Sequence, residues 1–465
     1  MTTDTIMPIT ALRSSFRDPD GFLFHQNGRL LRQVNPSYLP HLTHLKTSGL
    51  LDTLWQKRLL IAHEEIGAAD EQNGVQIEPL RIPYVSYPYE WCFSQLKDAA
   101  VLTLDIQRIA IEHDMSLKDA SAYNVQFVGG RPVFIDTLSF EKYEEGQPWQ
   151  AYRQFCQHFL APLALMAKVD VRLRHLLRAH IDGVPLDLAS NLLPRRTRLS
   201  YSLLSHIHLH ARAQRSHAND AATGGAAATR KFTRTMMIGI IESLRSAVEK
   251  LAVKEHETEW GTYYSDTNYT DDAMLQKEHL VGRFVEAYFE PDTIVHDIGA
   301  NTGRFSRLAA SDDRPVVAHD IDEMAVEMHY RHVAESGQNI LPLLLDLTNP
   351  SPDLGWAQQE RDGLTKRIQD GQVMALALIH HIAISNNVPL PRVAEFLAAI
   401  ANTLIIEFVP KEDSQVERLL ATRKDIFPDY TFEGFERAFK ERFDVLEKHA
   451  IDGTSRVLYA MRKRA

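Results

Sequence analysis

The chain has 465 residues, 44% of them hydrophobic and 24% charged, which exceeds one ordinary core and predicts two or three globular domains. Its formal net charge of -10 argues against a nucleic-acid partner, which needs a basic face, although Pro194-Arg-Arg-Thr-Arg198 is a local basic patch. Two cysteines, Cys92 and Cys156, exclude a disulfide framework or zinc cluster and read as small buried hydrophobes.

Gly21 to Leu31 predicts a hairpin turning at Asn27-Gly28. Apolar spacing predicts helices over Leu50–Ile66 and Ala99–His113. Val125 to Asp136 predicts a second hairpin, turning at Gly129-Gly130. From Trp149 to about His210 the pattern is mostly helical, with Phe155, Phe159, Leu163 and Leu165 on one side. Ser216 to Thr229 is small, polar and without an apolar face, so it reads as a connection. The expected division is therefore an α+β domain over 1–210, a flexible linker over 211–230 and a second domain over 231–465. Trp260 to Tyr269 is rich in aromatics and reads either as a lid or as an extra helix packed on a sheet edge.

Beyond it, strands and helices alternate. Strands are predicted at Thr293–Asp297, Pro315–Asp320, Ile340–Asp346, Val373–His380 and Thr403–Phe408. Helices are predicted from Gly303, over Met324–Ala334 and over Leu390–Ala401. The expected fold class is α/β, a Rossmann-like parallel sheet with helices on both faces. Phe443–Lys448 and Arg456–Met461, joined through Asp452-Gly453, add an antiparallel terminal hairpin. The longest apolar runs, such as Val373 to Ile379, are too short for a bilayer, and the N-terminus lacks a basic start and apolar core of a signal peptide. The expected location is cytoplasmic, with no membrane span.

The chemistry concentrates at Asp297-Ile-Gly-Ala-Asn-Thr-Gly303. Gly299 removes a side chain where the backbone turns sharply, Asn301 suits a left-handed position and Gly303 lets a helix approach the strand. The spacing differs from the Gly-x-Gly-x-x-Gly of nicotinamide sites. A carboxylate before the first glycine repels a diphosphate and attracts an ammonium group. Asp320 ends the second strand, where an acid hydrogen-bonds ribose hydroxyls; Asp322 is its neighbouring competitor. Asp346 ends the third strand, within reach of an adenine amino group. Each acid alone reads equally well as a helix cap or loop acid, but three at consecutive strand ends form one crevice.

This ordered set resembles class I S-adenosylmethionine-dependent methyltransferases over roughly Tyr263 to Lys463. Asn301 stands where a glycine is more usual. The resemblance implies S-adenosylmethionine as cofactor, with Asp297 near the methionine amino group and Gly299, Ala300, Asn301 and Gly303 along the methionine end. It implies Asp320 and Ile321 at the ribose, and Asp346 and Leu347 at the adenine. A fainter similarity, in Leu378 to Asn387, is to a bacterial group that includes a host-specific nodulation protein.

Methyl transfer is an in-line displacement that needs alignment and sometimes a base. His380 and His381, after the fourth strand, are the catalytic candidates; alternatively one packs under the cofactor and the other caps the next helix. Glu407 reads as a supporting group. No Asn/Asp-Pro-Pro-Tyr/Phe signature follows the fourth strand and no cysteine lies in the C-terminal half, which disfavours nucleic-acid base methylation. The expected acceptor is an oxygen of a small molecule or saccharide, and no metal is expected.

In the N-terminal half, Asp119-x-x-x-x-Asn124 followed by Phe134-Ile-Asp136 resembles the catalytic and metal loops of kinase-like phosphotransferases. That resemblance would make Asp119 a base, with Asn124 and Asp136 on magnesium. No His-Arg precedes Asp119, Thr137-Leu138 replaces Phe-Gly, and no Gly-rich loop is evident upstream. A kinase-like remnant and a loop acid beside an ordinary hairpin both remain open. A phosphotransferase-like or non-catalytic binding protein is thus the alternative to a methyltransferase.

Overall fold

The structure is a computed structural model that describes residues 11–212, 232–253, 270–421 and 423–464. The connection expected at Ser216–Thr229 and the aromatic segment Trp260–Tyr269 lie outside the described residues.

In the N-terminal half, strands β1 (Gly21–Gln26) and β2 (Arg29–Val34) form the first hairpin, with Asn27 (φ 52°) and Gly28 (φ 78°) left-handed at its turn. β3 (His63–Asp70) and β4 (Gly74–Pro79) complete a sheet of order β1-β2-β4-β3. The single helix expected over Leu50–Ile66 is instead a helix over Leu50–Gln56 followed by β3. Arg58 turns left-handed (φ 54°) and ends the helical run, so the apolar residues after it serve a strand. The expected Ala99–His113 helix spans Phe93–Glu112 and is buried on most of its surface. β5 (Met115–Leu117) pairs with β8 (Phe140–Lys142), and β6 (Val125–Val128) with β7 (Arg131–Phe134) across Gly129-Gly130. Short helical segments follow from Tyr152 to Leu209, their inner side carrying the buried Phe155, Phe159, Leu163 and Leu165. Both cysteines are free and buried.

The C-terminal half is a seven-stranded sheet. It contains β9 (Val295–Ile298), β10 (Val316–Asp320), β11 (Ile340–Leu344), β12 (Gly371–Ala375), β13 (Ala401–Phe408), β14 (Phe443–Ala450) and β15 (Val457–Lys463). Their order is β11-β10-β9-β12-β13-β15-β14. The first five pair in parallel, and β15 joins antiparallel to both β13 and β14. β9, β11 and β12 are buried along their whole length, as strands covered on both faces must be. From β9 the chain builds outward first to β10 and β11, then crosses back to β12 and β13. That reversal opens a crevice at the carboxyl ends of β9 and its neighbours.

The fourth strand stops at Ala375, short of the expected His380. Ala377 is left-handed (φ 50°) and turns the chain out of the sheet, so His380 and His381 enter a helical turn running to Ser385. The helix expected from Gly303 is reduced to Ser306–Ala309.

The halves share one apolar core that runs from Val34 through Tyr459. Polar contacts line the junction. Glu327 accepts from the Ser94 backbone (3.0 Å) and hydroxyl, the Tyr330 hydroxyl donates to Asp98 (2.7 Å), and Arg174 donates to Glu323 (2.8 Å). Arg367 holds Glu90 at 2.9 Å with a second, shorter bond. No helix among the described residues is long and apolar enough to cross a membrane.

Candidate cofactor and active site

A cavity of about 390 Å³ lies at the carboxyl ends of β9, β10, β11 and β12. Its size falls within the range of small-molecule sites, about 300–1,000 Å³.

The glycine bend wraps over the end of β10. The backbone N–H groups of Gly299 and Ala300 both donate to the His319 carbonyl, at 2.8 and 3.0 Å. Gly299 (φ 82°) and Asn301 (φ 50°) take the left-handed conformations that the turn requires. Asn301 N–H then donates to Asp320 Oδ2 at 2.7 Å, and Asp322 N–H to Asp320 Oδ1 at 2.9 Å. Asp320 is thus oriented by two backbone donors while still facing the cavity. Asp322 is the cap of the helix Glu323–Ser336, accepting from Met324 and Ala325 N–H, and does not line the cavity.

Asp297 is buried and accepts a 2.6 Å bond from the Ser306 hydroxyl. Burial raises its pKa to about 7; Ser306 opposes the rise, the Asp320 charge adds to it and Lys277 opposes it. Burial likewise pushes Asp320 up to about 6, against the donors of Asp322 and Asn301. Two acids that face a cavity and are hard to ionise without a partner suit a cation and a pair of hydroxyl donors.

Asp346 lines the same cavity, its Oδ1 accepting from Thr348 N–H (2.9 Å) and hydroxyl (2.6 Å), and Leu347 is beside it. Ile321 presents an apolar side chain, 56% exposed, next to Asp320. The structure therefore brings Asp297, Gly299, Ala300, Asn301, Asp320, Ile321, Asp346 and Leu347 to one cavity.

Gly303 is not among the lining residues. It is left-handed (φ 78°), and a Cβ there would overlap the His329 ring of the Glu323–Ser336 helix, so this glycine allows the close packing of the bend on that helix. His380 also stands outside: it is fully buried, with its ring 4.0 Å from that of His381. Burial keeps its pKa well below the ordinary imidazole value. His381 does line the cavity, and burial, aided by the Arg456 charge, lowers its pKa to about 4, so it is neutral at pH 7.

Sequence reading missed the contribution of the helix Asp271–Tyr288, which brings Met274 and Lys277 to the cavity. Lys277 is buried among Ala273, Met274, Leu280 and Val281 on that helix's apolar stripe, a placement visible in the sequence as a cation at a core position. Its Nζ lies 2.6 Å from Glu407 and 4.6 Å from the centroid of the Phe305 ring. Glu407 is 3.5 Å from Arg456, which in turn holds Asp413 at 2.7 and 3.0 Å. These four buried charges alternate in sign. Glu407 does not line the cavity.

Asp119, Asn124 and Asp136 come together around a separate cavity of about 580 Å³. There Asp136 pairs with the Arg32 guanidinium and accepts from the Ser139 hydroxyl (2.7 Å), and Asn124 donates to Ser139 (3.2 Å). The Arg32 guanidinium thus neutralises the acid that the kinase-like resemblance assigns to magnesium.

An open α/β sheet, closed by an antiparallel pair and hollowed where the strand order reverses, gives the C-terminal half a Rossmann-like architecture. The chain belongs to the family of nodulation protein NoeA: it is 36% identical to NoeA of Rhizobium meliloti (strain 1021) over 457 residues, which cover 97% of this chain and 95% of that one. No family model matches the chain. Similar solved structures include the N-methyltransferase NodS from Bradyrhizobium japonicum WM9, with 9% identity, a TM-score of 0.30 and coverage of 42% of this chain and 98% of that one. Another is the magnesium protoporphyrin IX methyltransferase ChlM from Synechocystis PCC 6803 with bound SAH, with 17% identity, a TM-score of 0.31 and coverage of 44% and 93%.

Proposed function

We propose that the protein is an S-adenosylmethionine-dependent methyltransferase that acts on an oxygen of a small molecule or saccharide. The observation that carries this reading is the pair of buried acids, Asp297 and Asp320, facing one cavity with raised pKa values. Among the described residues, the one Lys or Arg that lines the cavity, Lys277, already neutralises Glu407, so these residues offer a diphosphate no further counter-charge and the first carboxylate opposes it.

In this reading Asp297 accepts from the cofactor's ammonium group and becomes ionised on binding. Asp320 accepts from the ribose hydroxyls while its backbone donors hold it in place. Ile321 flanks the ribose beside Asp320, Leu347 flanks the adenine, and Asp346 accepts from the adenine amino group. Leu376, Leu378 and Ile382 give the cavity an apolar wall that excludes water. The bound cofactor supplies an electrophilic methyl on a sulfonium. His381, neutral and at the cavity wall, is the group that takes the acceptor's proton; His380 packs behind it and keeps its ring in place. Residues 1–210 and 231–465 serve as recognition and transfer units, the first bearing on the acceptor.

The test is incubation of the purified chain with methyl-labelled S-adenosylmethionine and fractionated cell extract. Label is expected in a non-protein, hydroxyl-bearing fraction, and His381→Ala should slow its appearance about 10²–10⁴-fold if proton removal is required. Calorimetry that shows no binding of S-adenosylmethionine, with ATP-magnesium binding that is lost in Asp136→Ala, would end this reading and support a phosphotransferase-like protein.

A further inference from the structure

The 580 Å³ cavity shares no lining residue with the cofactor cavity, and methyl transfer makes no use of it. It is walled on one side by N-terminal residues and on the other by Glu360 and Arg361, from the loop between β11 and β12.

Three of its cations are matched by carboxylates. Arg17 pairs with Glu360 at 2.8 Å, Arg32 with Asp18 at 3.2 Å and with Asp136, and Lys118 with Asp20. The fourth, Arg361, lies over the Tyr123 ring, 4.1 Å from its centroid, and donates to the Glu360 carbonyl at 2.8 Å. Among the described residues the lining holds four Lys or Arg side chains against five Asp or Glu, so a phosphate would have to displace a carboxylate from Arg17, Arg32 or Lys118 and would meet a net negative wall. The wall therefore disfavours polyanions.

What it offers instead is a set of fixed polar positions. Asp119 lines the cavity and is held by Ser121 N–H at 2.8 Å, with the Asn124 and Gln154 side chains against the same carboxylate. His158 is only 3% exposed, yet its Nδ1 has no hydrogen-bond partner, while the backbone at Asp182 steadies the ring. A buried polar atom left unmatched in this way is destabilising unless a ligand meets it. The Arg361 Nε is buried and unmatched on the same wall. Phe16, 52% exposed, presents an aromatic ring to the cavity. Carboxylate, amide, neutral imidazole and guanidinium groups around one aromatic ring match a ligand that both donates and accepts at many points and has an apolar face.

We propose that this second cavity is a binding site for a saccharide unit, neutral or amino-substituted, held through Asp119 and His158 with Phe16 against the sugar ring. The site recognises; it does no chemistry.

The test is saturation-transfer NMR on the full chain with D-glucose, D-glucosamine, N-acetyl-D-glucosamine and maltose in turn. Transfer to the ring protons of at least one sugar is expected. It should fall at least tenfold in Asp119→Asn and in His158→Phe, and at least threefold in Phe16→Ala, whose exposed side chain contributes little to folding. It should persist in Asp297→Asn, which impairs only the other cavity, so this proposal and the methyl-transfer reading fail separately. Thermal melts of each variant exclude unfolding as the cause of any loss. Absence of transfer from all four sugars, transfer unchanged in both Asp119→Asn and Phe16→Ala, or displacement of the sugar by ATP-magnesium or inorganic phosphate overturns the proposal.

Discussion

Asp297 and Asp320 determine how the cofactor cavity responds to pH. Asp297 has a folded pKa of about 7 against an ordinary 3.8, so the folded chain binds a proton that the unfolded chain has already released over that interval. Its contribution to stability is full below about pH 4 and is lost as pH rises to about 7. The melting temperature of the cofactor-free wild type should therefore fall, relative to Asp297→Asn, between pH 5 and pH 8. Cofactor binding should show the opposite slope. An ammonium group favours the carboxylate, so affinity should rise as pH climbs towards 7, with proton release detectable by calorimetry in buffers of different ionisation enthalpy. Asp297→Asn should flatten that slope and weaken binding tenfold or more, on the scale of a charge-assisted hydrogen bond of about 1.5–3 kcal/mol. A variant that kept the wild-type slope would show that another group binds the ammonium.

At the scale of elements, two contacts hold the cavity's walls. Gly303 lets the bend lie against His329, and its left-handed backbone resists any side chain. Gly303→Ala should lower stability by about 1–3 kcal/mol, read from the denaturant midpoint, because both the overlap and the backbone strain act together. The helix Asp271–Tyr288 is pinned to β13 through Lys277 and Glu407. Lys277→Met leaves Glu407 buried beside Arg456 alone and should cost about 3–5 kcal/mol. Adding Glu407→Gln to that variant should restore part of the loss, and a double-mutant cycle measures the coupling. The Gly303 packing role was only half legible: the sequence shows a glycine at a turn, but His329 lies in a helix that must fold back before the close approach exists. Lys277 was legible as a cation on an apolar stripe, although its partner, 130 residues away, was not.

The whole molecule behaves as two halves on one core. Val34 and Tyr459 belong to the same apolar cluster, and Glu90–Arg367, Ser94–Glu327 and Arg174–Glu323 cross the junction. Scanning calorimetry of the full chain should therefore show one cooperative transition. A fragment of residues 232–464 should melt at a lower temperature or aggregate, because it uncovers apolar surface around Tyr330 and Leu341 that the N-terminal half covers. Two well-separated transitions in the full chain would refute this shared core.

The sequence alone determined the order and kind of the C-terminal strands, the glycine bend, and the three acids at strand ends, since all rest on local periodicity and on turn residues whose preferences act over a few positions. It also located two of the N-terminal hairpins through their Asn-Gly and Gly-Gly turns, but not the third, β3-β4. Only the tertiary structure put Asp322 at a helix cap, moved His380 behind His381, ended the Leu50 helix at Gln56, and assembled the second cavity from Phe16, Asp119, His158 and Arg361. Those outcomes depend on contacts between residues far apart in the chain, and on single left-handed positions such as Arg58 and Ala377 that no side-chain preference announces.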